Sequence, residues 1–272
     1  MNEWHRLTWP EIAERVAAGQ DAALLPIGAT EQHGPHLGCG VDSSIADALC
    51  RRAAELSDVH LLPTLPYGCS IGHSRRWPGT LAVAPKTLID VVTDIGNWAY
   101  ASGIRRLFIV NAHVTNCAPL RCALEMLRAE HDELMVALVN TGDLSERVRE
   151  RHFADAADWH ANAAESSLML AIAPELARRE LFAAADDPDR TEGCVFAHPV
   201  NRTSRNGVTG QPSRADLNDG AELFGWLVED LIEMIARGAV ETPPLPFSYF
   251  EPVGAENVPA ARANRSSEGA SQ

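Results

Sequence analysis

The apolar run Ala22 to Ile27 breaks at Gly28 into a loop that carries Glu31-Gln32-His33 and then, nine residues on, Asp42. A strand that delivers its end to such a loop constrains the whole chain, because ligands and catalytic groups in an open α/β sheet collect at the carboxyl ends of the strands. A carboxylate, an imidazole and a second carboxylate are borderline-to-hard ligands that suit zinc or manganese, and Cys39 is the one thiol in the stretch. Asp42 is expected to serve twice, as a ligand and as the N-cap of the next helix.

The rest of the chain repeats this unit. Thr8 caps a short helix with Pro10 in its first turn and Ile12, Val16 and Ala17 on the face expected to lie on the sheet. A first strand, Ala23 to Ile27, precedes a helix whose Ile45, Leu49 and Ala53 form an apolar stripe. A second strand, Val59 to Thr64, leads into the loop Gly72 to Thr80, rich in turn formers and a candidate substrate wall. Pro85 opens a long helix that Gly103 closes, and Leu107 to Val110 is a third, buried strand ending at Asn111-Ala112-His113. Leu134 to Val139 reads as a fourth. Strands alternating with helices predict a mainly parallel, layered sheet.

Beyond it, the polar run Asp158 to Asn162 precedes Glu165 and an apolar helix that continues to Ala173. Residues 179–219 read as irregular without forming a separate domain, and 221–236 return to amphipathic helix. The last stretch, 255–272, has too little apolar surface to offset its ordering entropy and is expected to be mobile. One catalytic domain over 1–254 is the expected organisation.

Composition narrows the function. A formal charge of -14 disfavours a nucleic-acid partner, which needs a basic face, and 46% hydrophobic residues without a long charge block suit a soluble globular chain. Six cysteines without a CxxC pair point to free thiols and a cytoplasmic location. The N-terminus lacks the pattern of a signal peptide, and no apolar run reaches the ~18 residues of a membrane span.

Four separated motifs then point the same way. Pro26-Ile27-Gly28-Ala29-Thr30-Glu31-Gln32-His33-Gly34-Pro35-His36 with Val41-Asp42, Trp77-Pro78-Gly79-Thr80, Asn111 to Asn116, and His160 to Leu170 occur in the order found in the creatininase family of metal-dependent amidohydrolases. The resemblance spans Leu7 to Ile235. It implies a three-layer α/β/α fold with a mainly parallel sheet, a homo-oligomer, often a hexamer, and a two-metal site that hydrolyses small amides, including lactams and formamides. The ions would be zinc or manganese, with ferrous iron a further option.

Carried over residue by residue, the resemblance makes Glu31, His33, Asp42 and His113 metal ligands, with Asp42 bridging two ions that share the attacking hydroxide. Where creatininases proper have a further glutamate ligand, this chain has Thr115. Glu165, with Asn162 and Ser166 beside it, matches the family's His-Ala-Gly-x-x-Glu-Thr-Ser signature. It would complete the second metal site or assist proton transfer; its bland reading is a first-turn glutamate favoured by the helix dipole. His160 matches the histidine that passes a proton to the leaving nitrogen. His73, Trp77 and Trp159 are candidate substrate contacts, His36 a weaker candidate. Arg75 and Arg76 are either a solvated loop or a clamp for a substrate carboxylate or phosphate. Taken singly, Glu31 and Asp42 could cap turns and His113 could be a core histidine.

The expected activity is hydrolysis of a small amide, cyclic amides foremost, at a metal-bridged hydroxide. A formamide deformylase is the alternative within the class, and a catalytically idle protein that binds a metabolite or peptide is the alternative outside it. Creatinine itself is doubtful as substrate, because a substrate-side tryptophan of creatininases has no counterpart around Asn140 to Leu144.

Overall fold

The computed structural model describes residues 2–73, 75–252 and 254. Four parallel strands form the sheet: β1 (Ala22–Ile27), β2 (His60–Leu61), β3 (Arg106–Asn111) and β4 (Met135–Asn140), in the order β2-β1-β3-β4. Every residue of β1 is buried, as a strand covered on both faces requires. Side chains alternate between the faces. Ala23, Leu25, Ile27, Leu107 and Ile109 pack on one side against α3 (Pro85–Ala101) and α4 (Cys117–Glu130). Leu24, Phe108, Val110 and Val139 pack on the other against α2 (Val41–Ser57), α6 (Ala163–Ile172) and α9 (Leu217–Val240). The three-layer architecture follows from this alternation.

Helix α9 buries Leu223, Leu227, Leu231 and Ile235, which lie four residues apart on one stripe. Full burial of such side chains is worth roughly 1.5–3 kcal/mol each. Thr8 opens α1 (Trp9–Ala17) with Glu11 reaching back to its N–H at 2.7 Å, although no residue of α1 is buried and Ile12 and Val16 are only half-covered. At the other end of α3, Ser102 is the C-cap and Gly103 follows at φ 102°.

Some boundaries differ from the sequence reading. The second strand is two residues long rather than running from Val59 to Thr64. Pro26, on the neighbouring strand, and Pro63 have no N–H to give the ladder, and pairing resumes only as an isolated bridge from Ile27 to Leu65. The helix after residue 219 starts earlier, at Leu217, because the Asp216 carboxylate accepts the N–H of Asn218 at 2.7 Å and so caps it. Asp42 is not an N-cap: Gly40 holds that position, and Asp42 lies in the first turn of α2 with its carboxylate turned toward two histidines.

The irregular stretch between Arg179 and Asp216 contains α7 (Phe182–Ala185), α8 (Val200–Thr203) and a buried carboxylate, Asp187. That carboxylate accepts from Ser204 Oγ at 2.9 Å, from the Arg205 N–H at 2.8 Å and from Arg190 at 3.0 Å. Between α5 (Glu146–His152) and α6 another acid, Asp155, holds Asn162 Nδ2 at 2.7 Å and the Gln211 N–H at 2.7 Å. All six cysteines are free, and no described helix is long and apolar enough to cross a membrane. The chain divides into two units, Met1–Glu241 and Thr242–Gln272. In the second, the Glu251 N–H closes a turn on the Ser248 carbonyl at 3.3 Å, and Tyr249 and Phe250 meet edge to face. The tail 255–272, expected to be mobile, lies outside the described residues.

Asp187 supplies a test of how the irregular stretch is held. Burial alone would raise its pKa, but the hydrogen bonds from Arg190, Arg205 and Ser204 hold it below the usual value. Its contribution is therefore present above the unfolded pKa, about 4, and is lost as pH falls through the lower folded value. Asp187→Asn is expected to cost about 2 kcal/mol at pH 7 by chemical denaturation, and the difference from wild type should shrink toward pH 3.

Candidate metal centre

Three loops meet at the carboxyl edge of the sheet. In the β1–β3 register Ile27 stands beside Asn111, so the loops carrying Glu31 and His113 leave the sheet at the same level. A Cβ on Gly28 would stand 2.4 Å from the Ser43 backbone nitrogen. Only glycine lets the start of α2 approach the strand end this closely, which brings Asp42 to Glu31. Glu165 comes from the first turn of α6. Glu31, His33, Asp42, His113 and Glu165 are all buried.

Asp42 sits between two imidazoles, with Oδ1 at 3.2 Å from His33 Nε2 and Oδ2 at 3.3 Å from His113 Nδ1. Glu31 faces His113 Nε2 at 3.3 Å, His160 Nδ1 at 3.4 Å and His73 Nδ1 at 3.1 Å. Glu165 divides its oxygens. Oε2 accepts the Ala161 N–H at 2.6 Å, while Oε1 faces His33 Nε2 at 3.7 Å. One oxygen holds the loop before α6, where Ala161 takes a left-handed φ of 51°, and the other is left for the cluster.

Three rings share one arrangement. His33 Nδ1 donates to the Glu31 carbonyl at 3.0 Å, His113 Nε2 to the Cys69 carbonyl at 3.2 Å and His160 Nε2 to the Gln32 carbonyl at 2.9 Å. A carbonyl only accepts, so each ring carries its proton there and turns the lone pair of the other nitrogen toward the carboxylates. That is how metal-binding histidines are oriented.

The donor set fits divalent cations. Glu31 Oε1 and Oε2, His33 Nε2 and Asp42 Oδ2 are buried without a hydrogen bond, a costly state unless a cation balances them. Among the described residues, three trios have candidate ligand atoms mutually within 4.8 Å: Glu31, His33 and Asp42; His33, His160 and Glu165; Glu31, His73 and His160. His113 lies outside these trios, at ion-pair distance from Asp42 and Glu31.

The proton affinities tell the same story. Burial pushes Glu31 up to about 7, a rise that the neighbouring His113 and His33 only partly offset. Burial would lower His113, yet Glu31 and Asp42 raise it to about 9. Asp42, despite its burial, is held well below the usual carboxylate range by His33 and His113. Burial and the charges of His113 and His33 push His73 down to about 3, and burial with His73 and His33 keeps His160 well below its ordinary value. Without metal, protons on His33 and His113 stand in for the positive charge the carboxylates demand.

A cavity of about 410 Å3 opens onto the cluster and is lined in part by His73, Thr115, Trp159, His160 and His198. Trp77 does not line it; its half-buried ring has the Arg76 guanidinium 5.3 Å away. Arg75 and Arg76 are exposed, and Arg76 donates to the Asn201 carbonyl at 3.3 Å. His36 is buried apart from the cavity, bonded to Ser166 Oγ at 2.9 Å. Sequence reasoning passed over Gln32, the middle residue of the motif. Its Nε2 lies 3.1 Å from His73 Nδ1, 3.2 Å from His160 Nε2 and 3.1 Å from the Gly207 carbonyl. A Cβ on Gly207 would overlap Gln32 Oε1 at 2.0 Å. The signal was its place between Glu31 and His33; its partners lie too far along the chain for a local pattern to disclose them.

The family model described as "Creatininase: Creatinine amidohydrolase" matches residues 5–235. The creatinine amidohydrolase of Pseudomonas putida is 31% identical over 255 residues, covering 88% of this chain and 96% of that protein. A mycofactocin precursor peptide peptidase of Mycobacterium ulcerans (strain Agy99) is 31% identical over 242 residues, covering 85% and 86%. Among solved structures, a manganese creatininase matches with a TM-score of 0.78 at 27% identity over 88% of this chain and 99% of that one. A mutant creatininase of the Zn-Zn type matches with the same score and identity over 88% and 98%. The layered fold and the relatives agree: the chain belongs to the creatininase family and is a hydrolase acting on carbon–nitrogen bonds.

Proposed function

We propose that the protein hydrolyses a small amide with two divalent ions, zinc or manganese, held by Glu31, His33, Asp42, His113 and Glu165. The observation that carries this reading is Asp42, whose two oxygens face different histidines and so suit a bridge. Ions bound there would polarise the amide carbonyl and lower the pKa of the attacking water. Glu165 Oε1, 3.7 Å from His33 Nε2, is the carboxylate oxygen assigned here to the second ion, this chain having Thr115 where creatininases proper have a glutamate. His160, neutral because of its burial and histidine neighbours, takes a proton at Nδ1 and returns it to the departing nitrogen, which is a poor leaving group until protonated. The Gln32 side-chain amide donates to His73 Nδ1, and the Gln32 backbone carbonyl holds His160 by keeping its proton on Nε2.

A second reading of His160 is favoured by its place in two of the three ligand trios: Nδ1 would then be a metal ligand. Loss of metal from His160→Ala would favour the ligand; retained metal with lost turnover would favour the proton carrier. The relatives' names span creatinine and a precursor peptide, so the scissile group is proposed here at the level of a small amide, with lactams and formamides as first candidates. A homo-oligomer in the cytoplasm completes the proposal, on the strength of the family resemblance and the free cysteines. Metal-free protein reloaded with zinc or manganese and given a panel of lactams, hydantoins and formamides should open rings or release formate. Inertness toward the whole panel would count against the reading.

Elemental analysis of the wild type should find close to two equivalents of metal, and Asp42→Ala should lose both. Retention by that variant would remove the bridging role. His113 must shed a proton to bind metal, and its pKa is raised to about 9. Manganese affinity should therefore rise as pH increases toward 9, with protons released into the buffer on binding. Glu165→Gln should weaken one ion selectively, and added metal should partly restore activity. If both ions stay while kcat falls roughly 10²–10⁴-fold, Glu165 serves proton transfer instead.

A further inference from the structure

The segment Asn111 to Asn116 gives the cluster His113, and the two asparagines at its ends are buried, at 1% and 0% exposure. An asparagine amide offers two N–H donors and one carbonyl acceptor, and Asn116 uses all three. Its Nδ2 donates to the Gly28 carbonyl at 3.0 Å and to Asn111 Oδ1 at 3.2 Å, while its Oδ1 accepts the Cys69 N–H at 2.8 Å. Asn116 also stands at the N-cap position of α4, where an asparagine usually accepts an N–H of its own helix, yet its side chain makes no such bond. It joins the ends of β1 and β3 to the loop that carries Cys69 instead. A Cβ on Gly68 would stand 2.6 Å from the Gly28 carbonyl oxygen and 2.7 Å from Asn116 Oδ1, so the three loops meet without spare room.

These bonds converge on one histidine. Asn111 grips the His113 backbone at both ends: Nδ2 donates to the His113 carbonyl at 2.8 Å, and Oδ1 accepts the His113 N–H at 3.1 Å. Cys69, held by Asn116, offers its carbonyl to His113 Nε2 at 3.2 Å, which leaves Nδ1 facing Asp42 Oδ2 at 3.3 Å. One asparagine therefore fixes the backbone of His113 and the other its ring, and a hydrogen bond between the two side chains ties them together. Every bond made by the Asn116 amide joins neutral groups, so none of them needs an ion in order to form.

We propose that Asn116 is a positioning residue which, acting through Cys69 and Asn111, aims the His113 lone pair at its ion before any ion binds. The inference rests on the reading of His113 as a metal ligand. A metal-binding histidine depends on the group that accepts its other ring proton, and losing such a partner lowers metal affinity by roughly 10–100-fold. Asn116 stands one bond further out and serves that partner and the histidine backbone together. It touches neither substrate nor ion, so its effect on turnover passes through the metal.

Zinc affinity of the full chain, measured by competition with a chelator, tests this in Asn116→Leu, which is neutral and close in size, and in Asn116→Ser, which leaves room for a water. Both variants should bind zinc more weakly by about tenfold or more. They will also be less stable, because the buried Cys69 N–H loses its partner. Leu227→Ala, a cavity variant in the α9 stripe, is the control for lost stability and should keep the wild-type affinity. In a His113→Ala background Asn116→Leu should add almost no further loss, since the ring it aims is gone. Wild-type affinity in the folded Asn116 variants, or an equal loss with and without His113, would overturn the inference and leave the metal centre standing. Wild-type affinity in His113→Ala, or no zinc binding by the wild type, would retire the reading of the metal centre and the inference with it. The wild type alone gives a second measurement: exchange of the Asn116 side-chain amide protons with solvent, followed by NMR, should be equally slow with and without zinc. Protection that appears only with zinc would overturn the inference, because the ion would then be ordering the loops.

Discussion

The parallel pairing of β1 with β3 is the constraint on which the site depends. It sets Ile27 beside Asn111, so that two loops distant in sequence leave one sheet edge side by side. Glycine at position 28 then admits the first turn of α2, and with it Asp42, into the same space. The three layers bury this edge deeply enough that Glu31, His33 and Asp42 are nearly inaccessible to water. Packing therefore creates an electrostatic demand that the protein interior must meet with positive charge.

Burying carboxylates is expensive, and several arrangements could meet the cost. Lysine or arginine partners would do so permanently, but neither lines the cavity among the described residues. Histidines do it conditionally. His33 and His113 gain protons because Asp42 and Glu31 surround them, and they can give those protons up when a stronger cation arrives. Anchoring each ring on a backbone carbonyl fixes its orientation, so exchanging protons for metal needs no ring flip. A cluster that could exchange protons for ions without turning its rings would be preorganised for catalysis.

The irregular stretch after α6 reaches the same site by a relay of hydrogen bonds. Asp187 holds Ser204, Ser204 Oγ accepts the Gly207 N–H at 2.8 Å, and the Gly207 carbonyl accepts from Gln32. His160 is tied to the same stretch through a backbone bridge to Thr209. A segment with little regular structure thus sets the position of two histidines at the cavity. Its order comes from buried polar partners rather than from an apolar stripe.

Much of this was legible in residue order. Alternating apolar runs and helical stripes imply a layered parallel sheet, and Glu31, His33, Asp42 and His113 at two strand ends imply a metal centre, because local periodicity and strand-end position are properties of short segments. Other features depend on contacts between distant segments. Asp42 reads as a cap from its neighbours, yet its carboxylate turns to histidines because burial rewards pairing with them over capping. Trp77 reads as a substrate wall and lies outside the cavity, while Gln32, Gly207 and His198 gain their places only through the path of the 179–216 stretch. Glu165 was ambiguous between ligand and helix-end residue because its two oxygens divide between those surroundings. Motifs name the chemistry available, but distances across the fold decide which atoms share it.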